Sequence, residues 1–188
     1  MQRFRIILAS LTALLLVTIT NAASETDVPH LKYGDPFPSI TGQTPSGEQI
    51  ELPGAASGKP AIVILSFSRA GGHDSQRWSQ HLLKDAPGLP IYTVIFLESV
   101  PRPFRGMAAS GIRMGMPATM QERTILLYQD AKAWERKLQL ADEDHACLVL
   151  LDANEGIEWM SSEAFSVVRY QGLLKLIQGP SETLHLPS

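Results

Sequence analysis

The chain has 188 residues, of which 44% are hydrophobic and 19% charged, a balance that suits one globular domain with an ordinary core. A formal charge of −3 without a polybasic run argues against a nucleic-acid surface, which needs basic stripes to displace counterions from phosphates. A single cysteine, Cys147, excludes an intramolecular disulfide, a dithiol exchange pair and a cysteine-built zinc or cluster site.

The first residues read as a secretory signal. Arg3 and Arg5 precede an apolar stretch from Ile6 to Ile19, and small residues follow at Thr20-Asn21-Ala22-Ala23. Cleavage is expected after Ala22 or Ala23. The apolar run is shorter than the roughly 17 to 25 residues a spanning helix needs, so no stable membrane anchor is expected after cleavage. Removing Arg3 and Arg5 leaves 14 of the 16 basic residues against 19 acidic ones, a formal charge of −5. A periplasmic or secreted protein follows, divided into a signal peptide (1–22), a flexible segment (23–32), one domain (33–178) and a tail (179–188).

Two short apolar stretches, "PSITGQT" and "EQIEL", flank Pro45-Ser46-Gly47-Glu48, a turn signal that predicts an N-terminal β-hairpin. Ala61 to Phe67 is an Ile/Val-rich run without alternation, as a strand buried on both faces requires. "PIYTVIFLE" after Pro90, "RTILLYQ" over 123–129 and "ACLVLLD" over 146–152 predict three more strands. A shorter one, "GIEWM", follows the turn Asn154-Glu155-Gly156 and so pairs antiparallel with its predecessor. Between the strands lie helical patterns. Trp78 and Leu82 share a face in a helix expected to start at an Asp74 or Ser75 cap and to stop at Pro87-Gly88. A weaker helix is expected over 101–114. Ala131, Trp134 and Leu138 mark another, and Val167, Tyr170, Leu174 and Ile177 a last one, ended by Gly179-Pro180. The order hairpin, β, α, β, α, β, α, β, β, α predicts an α/β fold with a mixed central sheet.

That order resembles the thioredoxin-like fold, an α/β/α sandwich. "YGDPFPSITGQTPSGEQIEL" followed by "GKPAIVILSFS" is similar to the entry of exported thioredoxin-like and peroxiredoxin-related proteins. "CLVLLDANEGIEWMSSEAF" resembles the late hairpin of the same superfamily. Its Gly-Ile-x-Trp ending is closer to two cysteine-poor branches: the assembly-factor family of the mitochondrial ATP synthase, and small periplasmic thioredoxin-like proteins of unknown function. The resemblance places the two redox cysteine positions on Gly72 and Ser75. It also implies a cis-proline before the late strand, where this chain reads "DEDHACLV". Thioredoxin-type dithiol activity is therefore not expected, and a binding or assembly role with a protein partner is.

The candidate sites follow from chemistry. Gly72-His73-Asp74-Ser75 lacks the thiolate and resolving thiol that exchange needs. Helix-start amides in that stretch, with Arg69 beside them, suit an anion or carboxylate; the plainer alternative is a glycine loop and a helix cap. Cys147 with His145, two residues apart and so on one face of a strand, is the alternative site of a thiol-dependent peroxidase or reductase. A buried hydrophobic role for Cys147 is the stronger expectation. Met107, Met114, Met116 and Met120 lie near Arg102, Arg105 and Arg113. Methionine and arginine favour protein interfaces, which makes Arg105 a candidate binding residue. Met114, Met116 and Met120 are the alternative Cu(I) ligands of a copper-binding accessory protein. His73 and His81 are turned about 80° apart on a helix, too far round to share a metal. No cofactor is expected.

Overall fold

The computed structural model describes residues 29–56 and 58–179. The expected signal peptide, most of the segment 23–32, and the tail beyond Gly179 lie outside the described residues.

Seven strands form one mixed sheet. They are β1 (Ile40–Gln43), β2 (Gln49–Leu52), β3 (Ala61–Ser66), β4 (Ile91–Phe96), β5 (Thr124–Leu127), β6 (Cys147–Leu151) and β7 (Ile157–Ser161), in the spatial order β2-β1-β5-β4-β3-β6-β7. The pairs β3–β4 and β4–β5 are parallel, and the remaining neighbours are antiparallel. The helices are α1 (Arg69–Asp85), α2 (Arg105–Met114), the single turn α3 (Ala118–Gln121), α4 (Ala131–Lys137) and α5 (Val167–Gln178). The expected element order holds throughout. Only α3 and two short 3₁₀ turns go beyond it.

The unbroken apolar runs of β3 and β6 have the cause the sequence suggested: both are covered on both faces. Successive side chains alternate between two cores. Val63, Leu65, Val94, Phe96, Ile125, Cys147, Val149 and Leu151 pack with Trp134 and Leu138 of the α4 region. Ile62, Ile64, Leu148 and Leu150 pack on the other face with Trp78 and Leu82 of α1 and with Tyr170 and Leu173 of α5. Hence α1 and α5 cover one side of the sheet and α4 the other.

The turns are set locally. Gly47 sits at φ 97° and donates its N–H to Thr44 O at 2.9 Å, closing the β1–β2 hairpin in a conformation that favours glycine. Asp152 Oδ1 accepts from Asn154 N and Gly156 N at 2.7 and 2.9 Å, which forms the β6–β7 turn. At the start of the described chain, Leu31 N donates to Lys137 O and Gly34 N to Ile157 O. The segment ahead of β1 is thereby tied to α4 and to β7.

Helix α1 differs from expectation at its start. Its cap is Ser68, whose Oγ accepts from Gly71 N at 3.0 Å, and neither Asp74 nor Ser75 serves that role. Both lie buried within the helix. The stretch around Gly71-Gly72 is thus helical, not a glycine loop. Glycine inside a helix costs about 1 kcal/mol relative to alanine, which is why the pair reads as a loop by propensity. Tertiary packing overrides that preference. A Cβ on Gly71 would stand 2.8 Å from Glu143 O and 3.2 Å from His145 O, so only glycine admits the backbone of 143–145 against the helix.

Candidate functional site

In this architecture the end of β3 and the start of α1 form the place where the resemblance puts redox chemistry. Ser68 there does more than cap the helix: its hydroxyl also donates to Glu143 O at 2.8 Å. Asp74, one turn further on, is buried and accepts from Ala146 N at 3.2 Å and Phe165 N at 3.1 Å. One carboxylate therefore joins α1 to the segment before β6 and to the segment before α5. Ser75 is buried beside it. Gly72 is half-buried, with open space where a Cβ would be, while Arg69 and His73 are exposed.

The covering segment is acidic. Asp142, Glu143 and Asp144 precede His145, whose Nε2 lies 3.7 Å from Asp142 Oδ2. Glu143 is paired with Lys132 at 2.7 Å. Hydrogen bonds to Glu135 and then Glu143 hold the Lys132 ammonium above the usual lysine range. Carboxylates suit the positive end of a helix dipole. Here Asp144 Oδ1 stands 3.4 Å from Ser68 Oγ at the cap, and the Gly71 N–H is already taken by Ser68. This arrangement disfavours an external anion at the start of α1, the role expected of Arg69, Gly72 and His73.

Cys147 opens β6, opposite Leu65 of β3, and is 2% exposed. It points into the core on the α4 side of the sheet, the face opposite α1. Burial pushes its thiol up to about 12, far from the lowered values that make a thiolate available at neutral pH. His145 lies before the strand begins, so the pleat that would align the two side chains does not reach it. The expected core role of Cys147 matches this geometry.

The arginine and methionine segment is arranged differently. From Leu97 to Arg123 no residue is buried, although this stretch lies between two central strands. Phe104, Met107 and Met114 are 54%, 67% and 80% exposed. Met116 and Met120 are half-buried. Arg105 is fixed: its Nε donates to Val100 O at 3.2 Å, an Nη donates to Tyr128 O at 3.3 Å, and its guanidinium lies 4.7 Å from the centre of the Tyr128 ring. Beside it, α2 and the β1–β2 turn enclose a cleft of about 390 Å³ that Arg105 and Arg113 both line. Sequence reasoning singled out Arg105 but not the turn residues Thr44 to Gly47 or Tyr128. Nothing local in the sequence announces that they meet. Among the described residues no cluster of three or more His, Cys, Asp or Glu side chains is placed to hold a metal. No described helix is long and apolar enough to cross a membrane.

No protein-family model and no curated protein sequence matches the chain. Solved structures do. The thioredoxin domain of a thiol-disulfide oxidoreductase from Bacteroides vulgatus is similar at 22% identity and a TM-score of 0.55, over 78% of this chain and 99% of that one. A thiol peroxidase from Chromobacterium violaceum is similar at 15% identity and a TM-score of 0.52, over 79% and 87%. An exposed lipoprotein thioredoxin from Streptococcus pneumoniae gives 10% identity and a TM-score of 0.53, over 74% and 99%. Strand order, helix placement and these similarities agree: the chain has a thioredoxin-like α/β fold.

Proposed function

We propose that this chain is an exported thioredoxin-like protein that binds or assembles a protein partner and carries out no thiol redox chemistry. The position of its only cysteine carries the reading. A thiol that exchanges or reduces peroxide needs exposure and a stabilised thiolate. Cys147 is buried on the sheet face opposite α1, with its proton held up to about 12. At the start of α1, where exchange would occur, Ser68 and Gly71 stand beneath the backbone of 143–145.

The binding surface is the segment from Leu97 to Arg123. A run of this length without a buried residue leaves Phe104, Met107 and Met114 outward beside Arg102 and Arg113, a composition suited to protein contacts. The resemblance of the Gly-Ile-x-Trp stretch to the mitochondrial ATP synthase assembly factors accords with such a role, and the signal-like N-terminus supports a location in the periplasm or outside the cell.

Two measurements test this. Native protein should leave a thiol reagent unreacted until it is unfolded, and should neither reduce insulin disulfides nor consume peroxide. Crosslinking in the intact envelope should capture one reproducible partner, lost in Met107→Asp. Peroxide or disulfide turnover that disappears in Cys147→Ser would overturn the proposal, as would a partner unaffected by Met107→Asp.

A further inference from the structure

We propose that the cleft between the β1–β2 turn and α2 binds the carboxylate of a small acid with an apolar body. The cleft holds about 390 Å³, far more than a lone inorganic anion fills, and it is built from three separated parts of the chain. Its lining includes Arg105 and Arg113 and, among the described residues, no aspartate or glutamate. This is notable in an acidic protein: between Pro101 and Gln121 the only charged residues are Arg102, Arg105 and Arg113.

The two guanidinium groups differ in a useful way. Arg105 is held in place by Val100 O, Tyr128 O and the Tyr128 ring, which engage two of its five N–H donors. The remaining donors are presented by a group whose orientation is already fixed, which lowers the ordering cost of binding. Arg113 has no hydrogen bond or ion pair through its guanidinium among the described residues, and it is exposed at the cleft. A planar carboxylate matches the arginine fork and gains charge-assisted hydrogen bonds from it.

The walls specify the rest of the ligand. Gly106, Ala109, Ser110 and Arg113 follow i, i+3, i+4, i+7 spacing, so one face of α2 lines the cleft with small side chains and ends in a cation. Leu126 points away from the core shared by Ile125 and Leu127 and lies buried beneath the cleft, with the half-buried Tyr128 beside it. Small residues leave room, and Ala109 and the Tyr128 ring, both half-buried, offer apolar contact. Ser46 and Ser110 add hydroxyls at the sides. The site lies apart from the start of α1 and does not depend on the thiol chemistry of Cys147.

Benzoate is a suitable probe, with benzamide as its uncharged counterpart. Titrated into isotope-labelled full-length protein, benzoate should give saturable shifts at the amides of Gln43 to Gly47, α2 and Tyr128 and at the arginine Nε–H signals. Benzamide should bind at least tenfold more weakly. Arg113→Gln, at an exposed position that leaves the fold intact, should weaken benzoate at least tenfold, and added salt should weaken it further. Equal shifts with benzoate and benzamide would overturn the proposal. So would shifts confined to other regions, no saturation at millimolar benzoate, or an unchanged affinity in Arg113→Gln.

Discussion

Gly71 and Gly72 are adjacent in the first turn of one helix, yet alanine should act on them in opposite directions. In both positions alanine improves helix propensity by about 1 kcal/mol. At Gly72 nothing lies within 4 Å of the added Cβ, so Gly72→Ala should keep most of that gain and stabilise the protein by about 0.5 to 1 kcal/mol. At Gly71 the Cβ would meet Glu143 O at 2.8 Å and His145 O at 3.2 Å, backbone atoms that cannot rotate aside. Relief requires the 143–145 segment to lift. Lifting strains or breaks the Ser68 bond to Glu143 O and the Ala146 bond to Asp74, each worth about 1 kcal/mol. Overpacking of this kind costs about 1 to 3 kcal/mol. After the propensity gain is subtracted, Gly71→Ala should destabilise by about 1 kcal/mol, and by no more than about 2. Urea unfolding followed through the buried Trp78 and Trp134 measures both variants on one scale. Two shifts of the same sign, or a stabilised Gly71→Ala, would refute the claim that the acidic segment sits closed on the start of α1.

Three further outcomes follow from buried groups. The folded protein keeps the Cys147 proton to about pH 12, whereas an unfolded thiol releases it near 9.0, so the unfolded state binds fewer protons above that value. Stability is then lost as pH rises above about 9, by up to about 1.4 kcal/mol per pH unit. Cys147→Ala should show a shallower alkaline loss in urea midpoints than the parent, with the contributions of Tyr92 and Tyr170 common to both. Asp74→Ala strands the N–H groups of Ala146 and Phe165 and should cost about 3 kcal/mol in urea unfolding, with Asp74→Asn costing roughly half. Ser79 Oγ is buried without a hydrogen-bond partner among the described residues, so Ser79→Ala should be neutral or stabilising by up to about 1 kcal/mol in thermal or urea melts.

The strands were legible because burial on both faces leaves a plain mark in composition. Ala61 to Ser66 and Cys147 to Leu151 are apolar along nearly their whole length, and no helical spacing competes with that reading. The helices were legible in their interiors, from Trp78 and Leu82 or Tyr170 and Leu174, although Leu173 is the residue buried beside Tyr170 and Val167 is exposed; they were less legible at their ends. The start of α1 was misplaced because Gly71 obeys a contact with residues 143–145, a constraint that distant residues impose. Asp74 misled for a related reason: a short acidic side chain near a helix start reads as a cap, whereas this one holds two other segments from inside the helix. The cleft at α2 needed the β1–β2 turn, the helix and Tyr128 to come together across long sequence separations. Only its cations were visible beforehand.

The charge around the start of α1 and around α2 is the reason the proposed binding role is sought at α2. At the start of α1, Ser68 satisfies the Gly71 amide, and Glu143 and its acidic neighbours stand beside the positive end of the helix. One of the amides that would draw an anion to such a helix end is thereby already taken within the chain. At α2 the balance is reversed. Arg105 is oriented by two carbonyls and an aromatic ring, none of which neutralises its charge, and Arg113 stands unpaired among the described residues. Apolar side chains at Phe104, Met107 and Met114 face outward around the same helix. Uncompensated cationic charge and exposed apolar surface both stand there to be satisfied by something outside the chain, and they coincide on the segment between β4 and β5. The proposed binding role is therefore sought on the α2 face, away from the helix start where thioredoxin-like chemistry would sit.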